Sequence, residues 1–240
     1  MSDDSAQLMS LVRRLTDEQR EVTRRALSTR PRGLPVLQIA PDAAQRADAA
    51  IDASPDRARQ ACRAGCSACC HLAVAITIPE AIWIATRLRS ERTPQHFDGA
   101  VARIADHARR VGALTIEARA RARVPCALLG DDGACTIHPF RPLGCRGYTS
   151  FSKELCDAAL AADEPGHDGP LDATAWAAAG AIGDGLKAAL READLDDQHY
   201  EFHSALLRAI ETPDAEARWS RGEDVFSDLP RVVSERLARR

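Results

Sequence analysis

The chain has 240 residues, 45% of them hydrophobic, enough to bury a core in one compact domain with helical extensions. Its formal charge is −3, from 32 basic and 35 acidic residues, and only 4% of its residues are aromatic, so neither a basic nucleic-acid footprint nor a base-stacking platform is present. No apolar run approaches the roughly 18 residues that a membrane span needs, and the acidic start Met1-Ser2-Asp3-Asp4-Ser5 has no apolar stretch behind it to act as a secretory signal. The chain therefore reads as cytosolic, where clustered cysteines more often hold metal or do redox chemistry than form disulfides.

The first element is a helix in which Leu8, Leu11, Val12, Leu15, Val22 and Ala26 make one apolar stripe. Thr16 with Gln19 has the form of an internal capping box that divides it in two. Pro31-Arg32-Gly33-Leu34-Pro35 breaks the pattern. An alanine-rich helix follows from about Asp42, and Pro55 interrupts it before a short piece leads to Cys62. Leu72 to Ile78 alternates weakly and reads as a short extended piece. Thr77-x-Pro79-Glu80 then opens a helix with Ala81, Ile82, Ala85 and Leu88 inward. Thr93-Pro94 opens another, with Phe97, Val101, Ile104, Ala108 and Val111 on one face.

From Pro125 to Tyr148 prolines and glycines are dense and helical periodicity is lost. Ser152 to Pro170 is polar and reads as loop. Helices return after Asp172, first with Trp176, Ala179, Gly183, Leu186 and Leu190 at helical spacing, then with Leu206, Leu207 and Ile210. Pro213 and Pro230 mark the starts of short ones. Trp83, Trp176 and Trp219 read as core or helix-packing residues. The expected fold is mostly α: a helical frame around an irregular, cysteine-rich metal-binding centre with a short β-hairpin. Residues 1–61 supply N-terminal helices, 62–156 the centre and 157–240 C-terminal helices, in one compact domain.

The eight cysteines fall in two stretches, Cys62 to Cys70 and Cys126 to Cys156. In the first, Cys66-x-x-Cys69 has the bite of a metal knuckle, in which two intervening residues let both sulfurs face one ion. Gly65 allows the close backbone approach of such a turn. Cys69 and Cys70 are adjacent, so their side chains diverge and more naturally serve different ions or irons. In the second, Gly130-Asp131-Asp132-Gly133 reads as a hairpin turn. Pairing Leu129 with Ala134 makes Cys126 and Cys135 diagonal neighbours, their Cα atoms roughly 7–8 Å apart. His138-Pro139-Phe140-Arg141-Pro142 gives a stiff approach to Cys145. Arg141 and Arg146 flank that residue, and Arg146 is assigned to the bound group because positive charge offsets a thiolate-rich site. Cys156 completes the eight. His71 is a candidate fourth ligand, His138 a structural loop residue, and His96, His107, His167, His199 and His203 sit in polar or helical surroundings and are assigned no function.

Cys66-x-x-Cys69-Cys70, the Thr-x-x-Glu helix start after it, Pro125-Cys126, and Cys135-x-Ile137-x3-Arg141-Pro142-x2-Cys145-Arg146 together resemble the YkgJ-type cysteine cluster family, a zinc- or iron-chelating domain with eight characteristic cysteines. A related domain occurs in flagellin lysine N-methylases, which are taken to use an iron–sulfur cluster. The resemblance covers about Cys62 to Cys156. It implies metal ligation by all or most of Cys62, Cys66, Cys69, Cys70, Cys126, Cys135, Cys145 and Cys156, with zinc, iron or a 4Fe–4S cluster bound. His138 departs from the tyrosine common at its position, and three residues separate Cys62 from Cys66 where some members have two. No glycine-rich nucleotide loop or S-adenosylmethionine signature accompanies the cysteines, so methyl transfer is not carried over. A metalloprotein of unassigned reaction is expected; a structural zinc module that mediates a protein interaction, and a metal storage, transfer or sensing protein, are the alternatives. Neither nucleic acid nor membrane is an expected partner.

Overall fold

The computed structural model describes residues 3–28, 35–162 and 170–234, which contain ten α-helices and one two-stranded sheet. The break at 31–34 lies outside the described residues, as do 163–169 of the expected polar loop. Helix α1 (Asp3–Leu27) is continuous through Thr16. The Thr16 hydroxyl does not cap; it donates to the carbonyl of Ala181, and Gln19, buried, bonds Thr23 instead. A capping pattern inside an apolar stripe has thus been used for packing between helices. Helix α2 (Val36–Asp52) begins six residues ahead of Asp42. The Glu216 carboxylate accepts from the Val36 amide at 2.8 Å and supplies the missing cap.

Cys66–Cys70 precedes strand β1 (Ala75–Ile76), which runs directly into α3 (Ile78–Ser90). Glu80 is buried at the start of α3 and accepts from the amide and hydroxyl of Thr77. Its other oxygen takes the amide of Leu143 at 2.8 Å. One carboxylate therefore caps α3 and fixes the helix that carries Cys145. Helices α4 (Pro94–Val111), α5 (Ile116–Ala122) and α6 (Leu143–Gly147) follow. Next comes α7 (Lys153–Ala161), a correction to the loop expected there: the Ser152 hydroxyl caps the Leu155 amide, and Lys153 pairs with Asp157 one turn on. The remaining elements are α8 (Ala173–Glu192), strand β2 (Tyr200–Glu201), α9 (Phe202–Glu211) and α10 (Ala215–Ser220). Pro230 opens no helix in the described residues; its carbonyl accepts from the Glu201 amide.

Helix α8 is the spine, in contact with α1, α2 and α6, while α9 packs on α3 and α4. The strands pair antiparallel, Ala75 with Glu201 and Ile76 with Tyr200, and so tie the chain just after the first cysteine stretch to the start of α9. Trp83 and Trp219 are buried as expected, but Trp176 is 50% exposed and rests edge-on against Tyr148. Its position points away from the α8 core.

Candidate metal centre

The cysteine hairpin closes one residue out of the expected register. Leu129 faces Cys135, the Gly130 amide bonds Ala134, and Gly133 takes φ +75°, a left-handed conformation that adds a residue to the turn. Gly65 is also left-handed, at φ +81°, and a Cβ on Gly133 would lie 3.4 Å from the Gly65 carbonyl. The turns of the two cysteine stretches are therefore stacked. Two further bonds join the stretches: the Cys126 amide donates to the Cys70 carbonyl at 2.9 Å, and the Ala61 amide to the Ser150 carbonyl at 2.8 Å. All eight cysteines are free thiols, Cys62 exposed and the others partly buried.

The thiols influence one another in two groups. Cys145 is pushed well above the ordinary thiol range by burial and by the neighbouring sulfurs of Cys69, Cys126 and Cys135. Burial and the sulfurs of Cys126 and Cys69 raise Cys135. In the second group burial raises Cys66, reinforced by Cys62, Cys69 and Cys156, and it raises Cys156, reinforced by Cys62 and Cys69. Cys69 belongs to both; it is raised by its hydrogen bond with Cys70, then by burial and by the Cys70 charge. We call Cys126, Cys135 and Cys145 the inner group and Cys62, Cys66 and Cys156 the outer group. Cys126 and Cys135 pack against the hydrophobic core. A small cavity lined by Ala68, Cys69, Leu72, Tyr148, Cys156 and Leu160 opens beside the outer group.

Both groups receive amide hydrogen bonds. In the inner group the Leu128 amide donates to the Cys126 sulfur at 3.5 Å, and the Ile137 amide to that of Cys135, each from two residues on. In the outer group the Ser150 amide donates to Cys62 at 3.3 Å. Amides aimed at sulfur favour the thiolate. Several thiolates in one partly buried place repel each other, and a cation at their centre reverses that repulsion. The donor set therefore fits a thiophilic metal such as zinc or iron. Among the described residues no three cysteine sulfurs lie within 4.8 Å of one another. A single tetrahedral zinc, with Zn–S of about 2.3 Å, would draw its ligands closer than that.

Of the two arginines that flank Cys145, Arg141 acts to lower Cys69, Cys135 and Cys145. Arg146 is 1% exposed; it donates to the carbonyls of Arg141 and Pro139 and pairs with Asp48 on α2. It is a clamp on the loop. His71 turns its Nδ1 to the Ser67 carbonyl at 3.2 Å, back into its own turn. His138, as expected, sits in the loop with Arg141.

Two histidines passed over in the sequence lie beside the inner group. His203 places Nε2 at 3.3 Å from the Cys126 sulfur and Nδ1 at 3.1 Å from Glu201. His107 lies over its ring, centroids 3.7 Å apart, and takes a bond from Arg119 at 3.1 Å. Burial raises Cys126, but the charge and hydrogen bond of His203 outweigh it and lower the thiol below its ordinary range. Burial likewise lowers His203, and Cys126 and Glu201 outweigh it, holding the imidazole at about 9. No spacing in the chain could have linked residues 126 and 203. His107, Glu201 and His203 bring ligand atoms within 4.8 Å of one another. The Arg119 guanidinium at His107 and the Ser204 amide and hydroxyl on Glu201 weigh against a cation among them.

Residues 61–162 match the model of a family named CxxCxxCC and described as a "putative zinc- or iron-chelating domain". No curated protein and no solved structure matches the chain.

Proposed function

We propose, from the match of residues 61–162 to the CxxCxxCC family model, that the protein binds zinc or iron through its eight cysteines in two four-sulfur sets. The inner set is Cys126, Cys135 and Cys145 with one of Cys69 and Cys70; the outer set is Cys62, Cys66 and Cys156 with the other. Cys69 and Cys70 do not diverge as expected but are hydrogen-bonded to each other, so this pair sits where the two sets meet and supplies one sulfur to each. The observation that carries this reading is that the two cysteine stretches are held together: the Cys126 amide bonds the Cys70 carbonyl, the Ser150 amide bonds the Cys62 sulfur, and the Gly65 and Gly133 turns stack. Residues 62–156 are then the metal-binding core, and the helices of 1–61 and 157–240 form its frame.

Thiolate-bound zinc supplies structure and charge balance, and a 4Fe–4S cluster would add an electron store. The chain's own residues do the rest. Amides of Leu128, Ile137 and Ser150 steady the sulfurs, Arg141 offsets charge, and Arg146 acts indirectly by fixing the loop that bears Cys145. Such thiolates persist in a reducing compartment, which is where this reading places the protein. The test is anaerobic purification followed by metal and labile-sulfide analysis and an absorbance spectrum. Two zinc ions per chain and no colour, or iron with sulfide and broad absorbance near roughly 400 nm, support the proposal. Protein that neither retains nor takes up either metal under reducing conditions overturns it.

A further inference from the structure

The Cys126 sulfur has a partner that lies outside the matched domain. His203 is the second residue of α9, buried, with its ring between two acceptors: Cys126 Sγ at 3.3 Å from Nε2 and Glu201 Oε1 at 3.1 Å from Nδ1. Glu201 is itself held. Its other oxygen accepts from the amide and hydroxyl of Ser204, both at 2.8 Å, and its backbone is paired with Ala75 in the sheet. A carboxylate can only accept, so Nδ1 must carry a proton. A metal-bound cysteine is a thiolate and likewise can only accept. The nitrogen facing it must then be protonated too, because otherwise two lone pairs would meet at 3.3 Å. His107 is stacked on the ring and leaves it little room to turn.

We propose that His203, oriented by Glu201, is a positioning residue for the metal centre: it donates an Nε2–H hydrogen bond to the Cys126 thiolate. The proposal rests on Cys126 being a ligand. Its consequence is that α9, beyond the matched domain, belongs to the centre, and that the short β1–β2 pairing exists in part to bring Glu201 and His203 to Cys126. A donor to a ligand sulfur withdraws charge from it, lowering its donor energy. Loss of the donor should shift thiolate-to-metal charge transfer to longer wavelength, and loss of a partner one shell out typically weakens metal binding by roughly ten- to a hundred-fold.

The experiment loads the full-length protein with Co2+ in competition with a chelator, and reads both affinity and the position of the sulfur-to-cobalt charge-transfer band. His203→Phe keeps a ring of similar size without a donor; His203→Gln keeps an amide donor. The expected result is roughly ten- to a hundred-fold weaker binding and a red-shifted band in His203→Phe, with the band returned toward the parent position in His203→Gln. Parental affinity and band in His203→Phe overturn the proposal, as does a His203→Gln protein as altered as His203→Phe, since the ring would then matter only as packing. Parent protein that takes up neither Co2+ nor, given iron and sulfide, a cluster fails one step earlier: it contradicts metal binding itself, and the His203 proposal falls with it; in a protein that takes up only the cluster, cluster retention and absorbance are compared across the same variants.

Discussion

The inner and outer cysteines have the same chemistry but different settings. Cys126 and Cys135 pack on the hydrophobic core, and Cys145 rides on α6, which is fixed by the Glu80 bond to Leu143 and the Arg146 pair to Asp48. Cys62 is exposed, and Cys66 and Cys156 lie on a 62–70 turn and on α7, whose own residues are not buried except Ala68. On the proposed reading, the inner sulfurs are carried by segments packed on the core and the outer ones by less buried segments, so the inner set should hold its metal more tightly than the outer.

The largest expected effect is on the inner group. Structural zinc sites contribute on the order of 10 kcal/mol to small metal-folded modules, so Cys145→Ser should lose the inner metal and several kcal/mol of stability. Cys62→Ser, at the exposed member of the outer set, should lower outer metal occupancy and cost less stability than Cys145→Ser. Denaturant unfolding with metal analysis on each variant makes the comparison, and equal losses would break it. A smaller effect is expected for Arg146→Ala. It leaves the Pro139 and Arg141 carbonyls without their donor, at about 1–3 kcal/mol, because Asp48 is 47% exposed and can be solvated. Metal content should survive with the loop loosened; loss of the inner metal would mean that the clamp is required to hold Cys145 in place.

A further effect is confined to acid and concerns the metal-free protein. Burial raises Glu201, but His203 and the Ser204 amide and hydroxyl outweigh it and hold the carboxyl at about 2, against an ordinary 4.5. Its folded value is depressed, so its contribution is present above pH 4.5 and is lost as pH falls from 4.5 toward 2. Glu201→Gln should flatten that part of the stability curve. An unchanged acid slope in the variant would mean that Glu201 is not held by its neighbours.

Much of this was legible in the chain, and the rest divides by sequence distance. Helical periodicity marked α3, α4, α8 and α9, and Thr77 to Glu80 marked a helix start, because those signals are local. What escaped was decided by partners far away: Thr16 by Ala181, the start of α2 by Glu216, Arg146 by Asp48, and His203 by Cys126. The hairpin register was missed for a local reason, since Gly133 at positive φ adds one residue that alternation alone does not reveal.

The contrast between the two groups is tested most directly by timed alkylation of the reduced, metal-loaded protein, with each cysteine followed by mass spectrometry while a chelator is raised stepwise. Cys62, Cys66 and Cys156 should become labelled at low chelator, together with one of Cys69 and Cys70, while Cys126, Cys135 and Cys145 stay protected until a second, higher step. Labelling of all eight in one step, or at rates that ignore the chelator, would contradict the account.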